Sequence, residues 1–204
     1  MMIDELSLDD IPPRVQAAHL AAAAADYQCS CTNRIGAMLR MLAATKPGGV
    51  ILELGTGAGV AAAWLLDGMN PDACLHTVEW DSVSSARARH VLRDDTRATV
   101  HCIDAQTYID TYDGPLFDLI FADCAHPLGP VVDLLAPGGL YVVDDLMQQT
   151  SWEPGEQARV DQLVRELRAD PRLHVMSMRW DSGLLIAARI QDSPYVAIRP
   201  RRSA

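Results

Sequence analysis

The run Val50-Ile51-Leu52-Glu53-Leu54-Gly55-Thr56-Gly57-Ala58-Gly59, followed at once by Val60-Ala61-Ala62-Ala63-Trp64-Leu65-Leu66, constrains this chain more than any other stretch. Residues of apolar strand character pass into a turn with three glycines, and the turn opens a helix. Glycine permits positive φ there and lets a ligand approach the backbone without meeting a Cβ. In outline the stretch is a nucleotide-binding junction, because several nucleotide ligands use a strand, a glycine turn and a helix N-terminus. Which nucleotide it serves has to be read from the residues around it.

The rest of the chain alternates in the same way. Before the junction, an alanine-rich helix is predicted from Arg14 to Ala25, and a second follows a Thr32-Asn33 cap. Ile35, Met38, Leu39 and Leu42 share one face of that second helix, and Pro47-Gly48-Gly49 stops it. After the junction come a helix from Val60 to Leu66, a strand from Ala73 to Glu79 and an Asp81-capped helix. Strands follow from Thr99 to Ile103 and from Phe117 to Ala122. A short helix around Val131 to Leu135, a strand from Leu140 to Val143 and an amphipathic helix from Glu156 to Ala169 come next. Two strands, Leu173 to Ser177 and Leu184 to Ala188, are joined by a turn through Asp181-Ser182-Gly183. Strands separated by helices pair in parallel with crossovers on both faces, whereas the short last connection forces a hairpin. The expected fold is therefore α/β and Rossmann-like: a doubly wound, mainly parallel seven-stranded sheet with an antiparallel last strand and an N-terminal helical addition. Residues 1–46 are expected to form that addition or a lid, 47–190 the nucleotide-binding domain and 191–204 a tail.

Composition narrows the partners. A net charge of −10 over 204 residues argues against nucleic acid, whose phosphates demand a positive contact face. No apolar run approaches the length needed to span a bilayer, and the acidic Met1–Leu6 segment lacks the basic character of an export signal. Five scattered cysteines fit a reducing, cytoplasmic setting and are expected as buried or half-buried free thiols. A small-molecule substrate is thus favoured, and the Ala-, Met- and Leu-rich N-terminal helices offer a contact for a homodimer.

The glycine spacing distinguishes between nucleotides. A dinucleotide fingerprint needs a third small residue where this chain has Val60, so the glycines at 55, 57 and 59 depart from it. Glu53 lies close to where a pyrophosphate would be repelled and an ammonium group welcomed. From these residues the chain resembles the class I S-adenosylmethionine-dependent methyltransferases over roughly residues 35 to 190. The resemblance implies that Glu53, Gly55, Thr56, Gly57 and Gly59 form the first cofactor motif. It further implies that Glu79, closing the second strand, holds both ribose hydroxyls, that Asp104-Ala105 contacts the adenine and that Trp80 lies against that ring. An NAD-dependent oxidoreductase is the alternative that Val60 and Glu53 tell against.

For the acceptor, no Asn/Asp-Pro-Pro-Tyr/Phe signature of amine methylation is present. Asp123 after the fourth strand and Asp144-Asp145 after the fifth resemble instead the magnesium-dependent O-methyltransferases of the catechol and caffeoyl-CoA type. That resemblance implies a Mg2+ site of Asp123, Asp144 and Asp145, with Asp123 also at the cofactor and in catalysis. Three neighbouring carboxylates would otherwise repel one another, and such an ion would stabilise a phenolate. Asp145 stands where the family has Asn, and His126 where catechol-type enzymes have a lysine base. Without metal, His126 becomes the leading general base. Tyr27, Trp152 and Trp180 are further candidates for an aromatic acceptor pocket, with Trp180 read chiefly as packing against the sheet. A non-catalytic S-adenosylmethionine-binding protein is the reading from a different class.

Overall fold

Seven strands form one sheet in the computed structural model, which describes residues 10–27, 29–123, 130–149 and 152–190. The strands are β1 (Val50–Leu54), β2 (Cys74–Glu79), β3 (Ala98–Cys102), β4 (Phe117–Ala122), β5 (Leu135–Val143), β6 (Leu173–Met178) and β7 (Leu184–Arg189). Their order is β3-β2-β1-β4-β5-β7-β6. The first five pair in parallel, and β7 is antiparallel to both β5 and β6. The order reverses between β1 and β4, the place where ligands bind outside the carboxyl ends of the strands in open α/β sheets.

The helices are α1 (Pro13–Ala24), α2 (Asn33–Ala44), α3 (Val60–Gly68), α4 (Ser82–Leu92), α5 (Ala105–Thr111) and α6 (Glu156–Ala169). Local chemistry sets their starts. Thr32 caps α2 through the Ile35 amide, Asp81 caps α4 through Ser84 and Asp104 caps α5 through Thr107. α5 is absent from the sequence reading because Gln106, Thr107, Asp110 and Thr111 give a segment of about two turns no apolar period. The helix expected near Val131 is a single 3-10 turn, Val131–Leu134, and β5 starts earlier than expected, at Leu135. No helix among the described residues is long and apolar enough to cross a membrane.

Apolar side chains gather on both faces of the sheet. One cluster joins α1, α2 and α3 to β1, with Ile35, Leu39 and Trp64 fully enclosed. The other joins α5 and α6 to β4, β5 and β7. The helical addition is thus welded to α3 rather than appended to it. Two glycines allow this approach: a Cβ on Gly36 would collide with the Trp64 indole, and one on Gly68 with the backbone carbonyl of Arg40. A backbone carbonyl cannot rotate away, so Gly68→Ala must push α2 and α3 apart. We expect it to cost about 2 kcal/mol, seen as a melting temperature lower by roughly 6 °C. An unchanged melt would refute the close approach.

Candidate functional site

Four strand ends converge at the carboxyl edge of the sheet, and main-chain bonds fix them beyond the strands themselves. The amides of Gly55 and Thr56 both donate to the Val78 carbonyl. The Asp123 amide donates to Leu54 and the Asp144 amide to Ala122. The glycine turn, the end of β2 and the acids after β4 and β5 are therefore held side by side. Gly55, Gly57 and Gly59 all take positive φ, and Gly59 is the N-cap of α3. At the turn, the Glu79 carboxylate accepts from the Gly57 amide at 2.8 Å and from the Asp81 amide at 2.9 Å. Trp80 follows with 77% of its surface exposed.

Glu53 occupies a different setting from the ligand-facing one expected of it. It is fully buried, accepts from the Thr77 hydroxyl, which also bonds Thr56, and takes a further bond from the Ala62 amide in the first turn of α3. Burial pushes its carboxyl up to about 8 despite those donors, with the Glu79 charge adding to the rise. Its Oε1 has no hydrogen-bond partner.

A cavity of about 640 Å3 opens over these strand ends. Its wall includes Gly55, Glu79, Trp80, Asp123, Asp144 and Asp145. Burial, then the charges of Asp144, Asp145 and Glu53, hold the Asp123 carboxyl well above the usual range. Burial also raises Asp144 to about 6, offset in part by bonds from the Ser182 hydroxyl and the Asp145 amide. Asp145 is raised by burial as well. Among the described residues, no group of three or more His, Cys, Asp and Glu side chains is placed to hold a metal ion.

The β6–β7 hairpin and the segment before α2 close the rim. Leu146 and Met147 donate to the carbonyls of Gly183 and Ser182, and the Thr32 hydroxyl donates to Asp181 at 2.8 Å. Tyr27 rests so close over Gly57 that a Cβ there would strike its hydroxyl. Burial chiefly keeps the Tyr27 phenol un-ionised, raising it beyond its ordinary value. Burial, reinforced by the charge of Asp123, likewise raises the Cys31 thiol.

A family model described as "Methyltransferase domain" matches residues 52–146. A candidate O-methyltransferase from Mycolicibacterium vanbaalenii is 30% identical over 169 residues, covering 76% of this chain and 75% of the relative. The chain belongs to the class I S-adenosylmethionine-dependent O-methyltransferases. The methyltransferase also shares its fold with a cofactor-bound protein from MTB, at a TM-score of 0.81 and 21% identity over 91% of this chain and 94% of that one. TomG from Streptomyces achromogenes, an O-methyltransferase of tomaymycin synthesis solved with S-adenosylmethionine, gives a TM-score of 0.77. It is 21% identical over 93% and 92% of the two chains.

Of the residues singled out in the methyltransferase's sequence, Gly55, Glu79, Trp80, Asp123, Asp144 and Asp145 share the cavity wall. Thr56 and Glu53 lie buried behind it. Asp104 and Ala105 lie at the start of α5 outside that wall, where Asp104 caps the helix. His126 lies outside the described residues, as does Cys124. Trp180 packs against the core cluster of α1 to α3, and Trp152 does not line the cavity. The cysteines depart from expectation in part: Cys31 is buried, but Cys29 and Cys102 are exposed. Sequence reasoning missed Cys29, Ser30, Asp181 and Ser182 as wall residues. The signal available was topological, since a hairpin beside β5 must return its turn to the same sheet edge as Asp144.

Proposed function

We propose that this protein transfers a methyl group from S-adenosylmethionine to a hydroxyl of a small acceptor. The observation that carries the reading is the sharing of one cavity by Glu79 and by Asp123, Asp144 and Asp145. At about 640 Å3 it is of the size of small-molecule sites. The residues present fit the cofactor. Glu79 supplies a carboxylate with lone pairs remaining after its two backbone bonds, suited to a ribose diol. The glycine turn brings backbone without a Cβ to the cavity wall at Gly55, and exposed Trp80 offers a ring face to adenine. When bound, the cofactor supplies a methyl group on sulfonium that is already activated toward oxygen.

The chain's own work is then alignment and proton removal. We assign proton removal to Asp123 in its ionised form: with its carboxyl raised by burial and by neighbouring acids, it holds the proton taken from the acceptor hydroxyl more strongly than an ordinary carboxylate would. His126 remains a second proposed base. Asp123, Asp144 and Asp145 are oxygen donors of the kind a hard divalent cation takes; burial raises all three, and the charges of Asp144 and Asp145 add to the rise at Asp123. They are not placed as a three-ligand set, so an ion bound here would have to draw Asp123, Asp144 and Asp145 together before it stabilised a phenolate.

Transfer of labelled methyl from S-adenosylmethionine to a panel of phenols tests the reaction. Cofactor binding with no transfer to any phenol would reduce the protein to a non-catalytic binder. For the metal, chelator is expected to lower activity about 100-fold, and calorimetry should show Mg2+ binding that Asp144→Ala abolishes. Full activity in chelator, with no heat of Mg2+ binding, would remove the metal from the reaction.

A further inference from the structure

Gly55 lies in the cavity wall, but Gly57, two residues further along the same turn, does not. Tyr27 stands there in its place. A Cβ at Gly57 would strike the Tyr27 hydroxyl and then the ring carbon that bears it, so the phenol covers the middle of the glycine turn on the cavity side. The missing Cβ of Gly57 thus admits a side chain of the protein itself.

Local chemistry aims the ring at that spot. Beyond α1 the Asp26 amide donates to the Ala23 carbonyl and the Tyr27 amide to the Ala22 carbonyl, with Asp26 in the left-handed region at φ 51°. This is the Schellman pattern, which turns the chain sharply at a helix end. It delivers Tyr27 to the turn between β1 and α3, and the apolar cluster of α1 to α3 backs the ring.

The surroundings of the phenol indicate which part of a ligand it meets. The charges of Glu79 and Asp123 both reach it, so it lies between the acid suited to the ribose and the acid assigned to proton removal. A cofactor with its ribose at Glu79 and its methyl group near Asp123 passes Tyr27 with its methionine portion. That portion ends in an ammonium and a carboxylate. Burial, then neighbouring Cys29, Glu79 and Asp123, keep the phenol protonated, so it offers the cofactor a hydroxyl donor, which a carboxylate accepts strongly. The described wall residues include no Lys, Arg or His, and Arg87, whose charge reaches Tyr27, is not among them.

Resting on the cofactor reading above, we propose that Tyr27 is a cofactor-binding residue: its ring takes the place of Gly57 in the wall, and its hydroxyl donates to the carboxylate of the S-adenosylmethionine amino-acid end. The site thereby favours adenosyl ligands that keep that end intact.

Titration calorimetry on wild type and Tyr27→Phe, with two ligands, tests this. One ligand is S-adenosylmethionine; the other is its decarboxylated analogue, which keeps the adenosyl, sulfonium and amine groups. Phenylalanine retains the ring against Gly57 and removes only the hydroxyl, so the variant is expected to fold. Tyr27→Phe should bind S-adenosylmethionine about 10-fold more weakly than wild type does, while its affinity for the analogue changes by less than about twofold. No loss with S-adenosylmethionine, or an equal or larger loss with the analogue, overturns the proposal, and wild-type binding of S-adenosylmethionine still upholds the cofactor reading. Wild type that binds neither ligand overturns the reading and the proposal together.

Discussion

Glu79→Ala is expected to weaken S-adenosylmethionine binding by about 100-fold or more, close to 3 kcal/mol. Two losses combine. The ribose diol would lose its carboxylate partner, and hydrogen bonds to a charged group contribute about 1.5–3 kcal/mol each. The Gly57 and Asp81 amides would also lose the acceptor that fixes the glycine turn against β2, so the turn would no longer be set for the ligand. Glu79→Gln retains one oxygen acceptor and should fall between the two. Titration calorimetry decides the matter: unchanged affinity in the alanine variant would remove Glu79 from the cofactor site.

The second large effect concerns pH and a residue that touches no solvent. Glu53 has its carboxyl raised from an ordinary 4.5 to about 8 by burial. The folded state therefore holds its proton more tightly than the unfolded state does. That contribution to stability is fully present below the unfolded value and is lost as pH rises from about 4.5 to about 8. At 1.36 kcal/mol per pH unit, the loss over that window is on the order of 5 kcal/mol. Wild-type protein without cofactor should accordingly melt lower at roughly pH 8.5 than at pH 5, by about 10 °C from this group. Glu53→Gln keeps a neutral side chain of the same shape against Thr77, and the slope of melting temperature with pH should flatten by that amount. A variant whose slope matches wild type would show that Glu53 is already ionised in the fold.

These two carboxylates also show where sequence reading succeeds and where it stops. Six of seven strands are legible to within a residue or two because short apolar runs are bounded by glycine, proline or aspartate signals. The fifth strand was read short because Ala136-Pro137-Gly138-Gly139 has the composition of a turn, yet it lies inside β5. α5 was lost because a short polar helix is stabilised by its cap and by Tyr108 and Ile109 packing beneath the sheet. At the site, strand-end acids could be named from topology alone, but the direction each side chain takes could not. Glu53 and Glu79 both sit near strand ends, and only three-dimensional packing turns one toward α3 and the other toward the cavity. Asp181 and Ser30 were invisible for a related reason. Their place in the cavity wall depends on which distant segments the fold folds back over the sheet edge.

The Thr32 hydroxyl contacts Asp181 across 149 residues of sequence. A chain emerging from the ribosome therefore makes the glycine turn early but cannot finish the cavity rim until the last hairpin has been synthesised and has paired with β5. Ligand capture becomes the final event of folding, and any nascent or C-terminally shortened chain would be denied the stabilisation that a bound ligand gives.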